Sequence, residues 1–142
     1  ERAEHNFRMD PAGTIAAVTT AHRPWLVISD VTFRPEIDVT AEHWLYRQLR
    51  QHLEPWAQLA ADHMDRWFER FVPGTMQHDP LTLSIALGIP FVQFDYTPIA
   101  LAGDARMRHH PDGTMVFLAR EAHYGPFMQW IGKQLGLEAS GT

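Results

Sequence analysis

The residues best equipped for chemistry fall in three short patches: Ala3-Glu4-His5-Asn6-Phe7, Ser29-Asp30-Val31-Thr32 and Met76-Gln77-His78-Asp79-Pro80. His78 carries an imidazole, whose reference pKa of about 6.5 lets it give up a proton near neutral pH. Asp79 beside it offers hard carboxylate oxygens, a donor type suited to hard cations. Each also has an ordinary structural reading. A lone histidine often just precedes a helix, and an aspartate before proline is a common N-cap, as Asp10-Pro11 illustrates. Glu4 and Asn6 lie two residues apart, so in an extended segment they point to one side. A carboxylate and an amide there can clamp sugar hydroxyls; a solvated loop before a helix is the alternative.

Further along, His63, Trp67 and Phe71 follow at i, i+4 and i+8, on one helix face. For at least one of Trp67 and Phe71 this spacing reads as a core-facing stripe. His109 and His110 are adjacent in an expected strand, point to opposite faces and read as surface histidines. Most of the nine histidines read as surface or core-edge residues.

Composition narrows the partners. The 142 residues suit one domain, and 45% apolar content is enough for a core. A net charge of -5 and no basic patch argue against nucleic acid. No apolar run approaches the roughly 18 residues of a membrane span, and no signal peptide is evident. The absence of cysteine rules out disulfides and thiol chemistry and fits a cytoplasmic protein. The chain starts at Glu1 without methionine, which fits a longer parent.

The elements that must position these patches read as follows. Asp10-Pro11 opens a helix over 12–21 that Pro24 ends. Residues 25–31 form a nearly continuous apolar run, expected to be a buried strand, and helix then strand suggests a parallel α/β unit. A loop over 33–38 leads to a long helical stretch, capped by Asp38 or Thr40, through about Phe71 and broken near Pro55. Pro73-Gly74 is a turn. Asp79-Pro80 opens a helix over 81–87 that Gly88 closes. Strands are expected over 91–101, 107–110 and 115–119, and a final amphipathic helix over 122–135 with Phe127, Trp130, Ile131 and Leu135 on one face.

In order and spacing, the three patches resemble the C-terminal half of the inosine–uridine nucleoside hydrolase family, from Ala3 to about Leu135. There an Ala-Glu-Phe-Asn segment precedes Asp-Pro and a helix, a strand ends in Asp-Val-Thr, and His-Asp-Pro follows some helices later. The resemblance implies an α/β fold, one partial domain over 1–142 with a parallel-sheet strand, helices and a small antiparallel strand addition. It implies N-glycosidic hydrolysis of ribonucleosides to ribose and free base. His78 would be the leaving-group acid, Asp79 one calcium ligand, Glu4 and Asn6 ribose contacts, and Trp67 a base contact. Phe33 follows Thr32 where many relatives carry histidine.

The family's Asp-rich calcium motif and water-activating aspartate belong to the N-terminal half, and neither is found here. The chain alone is therefore expected to be inactive, and to associate with that half or form a homo-oligomer. A non-catalytic ribose-binding module and an assembly piece remain as alternatives.

Overall fold

The computed structural model describes residues 2–137. In chain order its elements are α1 (His5–Met9), α2 (Pro11–Thr20), β1 (Trp25–Leu26), α3 (Ser29–Thr32), a 3-10 turn (Pro35–Ile37), β2 (Asp38–Thr40), α4 (Trp44–Gln51), α5 (Pro55–Arg70), β3 (Gly74–Met76), α6 (His78–Ala86), β4 (Val92–Leu101), β5 (Met107–His109), β6 (Thr114–Ala122) and α7 (Tyr124–Gln134). The architecture is mixed α/β. Contacts divide it into two units: the residues up to Val31 with Val92–Ala122, and Thr32–Phe91 with the residues from His123 onward.

The first unit is built on a four-stranded sheet of order β1-β6-β4-β5. β1 runs parallel to β6, pairing Trp25 with Phe117, while β4 is antiparallel to both β6 and β5. The turn at 102–106 joins β4 to β5 as a hairpin, and the turn at 110–113 carries the chain past the end of β4 into β6. Pro98 is tolerated inside β4 because its carbonyl accepts from the His110 amide, so the missing N–H falls on that side and costs no bond to β6.

Asp10 caps α2 as expected, its carboxylate accepting from the Gly13 amide at 2.9 Å. The helix then lays Val18 against Ile99 and Val116 on one sheet face, with Leu26, Leu101, Met107 and Leu118 around them. The residues that alternate with these build an aromatic ladder: Trp25 stacks on Phe117 at 4.5 Å and meets Phe94 edge-on, and Tyr96 lies 4.8 Å from Phe117.

The expected strand over 25–31 shrinks to Trp25–Leu26, and Ser29–Thr32 is a helical turn instead. The Val31 amide bonds to the Ile28 carbonyl, and Ile28 and Val31 are both buried. A short apolar run reports burial, and periodicity alone does not separate strand from helix in such a run.

In the second unit, α4 and α5 break at Pro55 as read from the sequence. The cap of α4 is His43, whose Nδ1 accepts from the Leu45 amide at 3.2 Å. Asp38 and Thr40 belong to β2, which pairs antiparallel with β3. Gly74, expected in a turn, opens β3. These two short strands lie far apart in sequence, and no local pattern announces them.

Leu45 and Leu49 face inward from α4, but Leu53, the next in that series, lies past the helix end and is 94% exposed. On α5 the buried side chains are Ala57 and Ala61. Arg50 on α4 binds Asp62 at 2.7 Å and also Asp65 on α5, and Tyr46 donates to Asp65.

α6 buries Leu81 and Ser84 and ends at Gly88, whose φ of 74° is open to glycine. There the Ile89 amide reaches the Ser84 carbonyl and the Gly88 amide the Ile85 carbonyl, both at 2.9 Å. On α7, Phe127, Met128 and Ile131 are buried, while Leu135 stays 37% exposed. Among the described residues no helix is long and apolar enough to cross a membrane.

Candidate functional site

Glu4 sits just ahead of α1 with extended backbone, and Asn6 is the second residue of that helix. The premise that both lie in an extended segment and point to one side is therefore corrected. The chain turns helical at His5, the Arg8 amide bonding to the Glu4 carbonyl at 3.0 Å. His5 Nδ1 accepts from Arg8 Nη2, and the Thr14 hydroxyl donates to the Phe7 carbonyl, which ties the end of α1 to α2.

The Glu4 carboxylate is directed at the second patch. Its Oε2 accepts from the Ser29 amide at 3.0 Å and from the Ser29 hydroxyl. Two of the three patches thus meet within the first unit. Both of these bonds fall on Oε2 of the carboxylate, and Asn6 is exposed. Ser29 as the partner of Glu4 was not legible in the sequence: the contact spans 25 residues.

The third patch lies in the second unit with Trp67. Its geometry comes from β3. The Gln77 amide bonds to the Ile37 carbonyl at 3.0 Å, and the Gln77 side chain to the Thr75 carbonyl at 2.9 Å. Ile37 and Leu81 are fully buried on either side of this junction. α6 begins at His78, three residues before the start expected at Leu81. Gln77 occupies the N-cap position without a side-chain bond, so Asp79 is not the cap. Pro80, in the first turn, gives up an N–H that has no intrahelical partner there.

His78 is half-buried, and its ring lies parallel to that of Phe33, with centroids 6.1 Å apart. Asp79 is exposed in the first turn, where the positive end of the helix favours a carboxylate. Consecutive helical positions diverge by about 100°, so imidazole and carboxylate serve different directions.

Trp67 donates its indole N–H to the Gly74 carbonyl at 3.0 Å and leans on Phe71 at 4.7 Å. It is 42% exposed and Phe71 is 68% exposed. The reading of this stripe as core-facing is corrected: Ala57 and Ala61 take the buried positions of α5, leaving larger rings such as Trp67 and Phe71 outward. The indole N–H is spent on β3, so stacking is the contact Trp67 has left to offer.

Two features carried no sequence signal. In the second unit a cavity of about 450 Å³ is lined by Glu36, His43, Trp44, Tyr124, Gly125, Met128 and Gln129. Burial lowers the His43 pKa from its ordinary value, with Asp38 pulling weakly the other way. In the first unit Asp30, Asp95, Arg108, His109 and Arg120 line a cleft on the sheet.

Among the described residues no group of three or more His, Cys, Asp or Glu side chains converges to hold a metal. Calcium takes six to eight oxygens, more than the Asp79 carboxylate can offer.

No protein-family model matches the chain, and no curated protein matches it significantly.

Proposed function

We propose that this chain is the C-terminal part of a calcium-dependent nucleoside hydrolase, cleaving the N-glycosidic bond of ribonucleosides to ribose and free base. The observation that carries the reading is His78 and Asp79 at the head of α6, in register with the Glu4/Asn6 segment and with Ser29-Asp30-Val31-Thr32. The contact from Glu4 to Ser29 supports it, because it joins two patches that the resemblance groups together.

Breaking the bond expels a nucleobase anion, a poor leaving group until protonated. His78 delivers that proton to the departing base. Trp67 stacks on the base, and Glu4 and Asn6 hold the ribose as it flattens toward an oxocarbenium ion. Asp79 would contribute one carboxylate oxygen toward holding calcium, whose chemistry there would be to acidify water. The other calcium ligands and the base that deprotonates that water belong to an N-terminal half.

The function test is calcium-dependent release of ribose from inosine or uridine by a protein carrying both halves. His78→Ala is expected to lower kcat by about 10²–10⁴, most for purines. Inactivity of the intact protein toward every nucleoside would favour a non-catalytic binding module. The isolated chain should show no turnover, and hydrolysis by it contradicts the two-half argument.

Exposed Leu53, Leu59, Phe71 and Leu87 support association with the N-terminal half or with another copy. Sedimentation of the chain as a stable monomer speaks against that part.

A further inference from the structure

Beside the segment that carries Glu4 and Asn6, the first unit has a shallow cleft of about 440 Å³ lined by Arg2, Ala3, Arg8, Asp104 and Arg106. Three arginines and one aspartate line it, in a chain whose net charge is -5. The turn after β4 is tightly built. The Ala105 amide bonds to the Ala102 carbonyl at 2.8 Å and the Ala102 amide to the Arg106 carbonyl at 2.9 Å. Asp104 accepts from the Arg106 amide and, at 2.7 Å, from its Nε.

That pair fixes the Arg106 guanidinium by one edge. A guanidinium has five N–H donors, so Arg106 keeps donors beyond the one on Nε. Arg8 is held through a single Nη2 bond to His5 Nδ1 at 3.0 Å. Two arginines so held, in a common cleft with a third, make a receptor for a doubly charged tetrahedral oxyanion, which guanidinium forks bind bidentately.

We propose that this cleft binds a phosphate carried on the sugar, so that the substrate is a nucleoside 5′-monophosphate. The proposal rests on the nucleoside reading above, since Ala3 and Arg8 flank the two residues assigned there to ribose. A phosphate on the exocyclic 5′ carbon projects away from the anomeric carbon whose bond breaks. It therefore adds binding without obstructing the leaving base.

The test is chemical-shift titration of the isotopically labelled chain with inosine, inosine 5′-monophosphate, ribose 5-phosphate and inorganic phosphate at low salt. Inosine 5′-monophosphate is expected to bind at least about tenfold more tightly than inosine, since one charge-assisted contact is worth about that much. Arg8→Ala and Arg106→Ala should each remove most of that preference and leave inosine binding unchanged. Arg8→Lys and Arg106→Lys should recover part of it, because charge remains and the fork is lost. Both arginines are exposed, and circular dichroism verifies that the variants stay folded.

Equal affinity for inosine and its monophosphate overturns the phosphate cleft and leaves the nucleoside reading standing. Arginine-dependent binding of ribose 5-phosphate with no binding of inosine supports the cleft, and ribose release by the protein carrying both halves then decides the nucleoside reading. A monophosphate preference that survives in the Arg8→Ala/Arg106→Ala double variant places the phosphate elsewhere and ends the proposal, as does the absence of any binding.

Discussion

The two units bury their side chains differently. In the sheet unit one helix covers one sheet face, with Ile99 and Val116 beneath Val18, while across the aromatic ladder Trp25 and Tyr96 each stay 54% exposed. In the helical unit several elements close on one another, and Phe127, Ile37, Val39, Leu81 and Ser84 are essentially inaccessible. The proposed chemistry follows this division. Glu4 and Asn6, proposed to hold the sugar, belong to the sheet unit, and His78 and Asp79, proposed as acid and metal ligand, to the helical one. An acid that must meet a departing base at a set distance benefits from rigid support, and His78 is anchored through Gln77 to Ile37, at 0% exposure.

The largest effects should come from opening each core. Phe127→Ala is expected to cost about 3–5 kcal/mol and Ile99→Ala about 2–5 kcal/mol, both read from urea denaturation. A Phe127→Ala variant as stable as the parent protein would mean the helical unit has no such core.

Close approach at glycine gives the next test. A Cβ on Gly132 would lie 2.4 Å from the Trp44 ring and 2.7 Å from the Leu137 carbonyl; one on Gly113 would lie 2.2 Å from the Ile99 carbonyl. Alanine at either position should destabilise by about 1–3 kcal/mol. A neutral result at Gly113 would show that the β4–β6 pairing yields where the α7 packing does not.

The helix caps come third. Asp10→Ala removes the acceptor for the Gly13 amide and should cost about 1 kcal/mol, with Asp10→Asn restoring most of it. Thermal unfolding of the three proteins decides this.

The smallest effect is the pH response of His43. Burial depresses its folded-state pKa, so the unfolded chain takes up this proton first as pH falls. Its contribution to stability is full above about pH 6.5, declines as pH drops toward the depressed value, and is level below it. Denaturation midpoints between pH 8 and 5 should fall more steeply for the parent than for His43→Gln. Parallel curves would remove His43 as a titrating cap.

Much of this architecture was legible because the signals are local. Asp10-Pro11 starts a helix, Pro55 breaks one and Gly88 ends one, each through its own backbone chemistry. The strand–turn–strand run from β4 to β6 and the closing helix were read to within a few residues. The helical turn at His5–Met9, which overturns the shared side of Glu4 and Asn6, had no such marker. Neither did the outward face of α5. Trp67 and Phe71 have the spacing of a buried stripe, but the neighbours of α5 accept alanine.

The sequence by itself determined residue chemistry and local geometry: an imidazole beside a carboxylate at a helix start, a carboxylate two residues from an amide, and the places where helices must begin and stop. Only the tertiary structure decided that Glu4 spends an oxygen on Ser29, that β1 runs parallel to β6, that β2 finds β3, and that Arg2, Arg8 and Arg106 line one cleft. These partners lie many residues apart. Their meeting depends on how the whole chain packs, and no window of neighbouring residues contains that information.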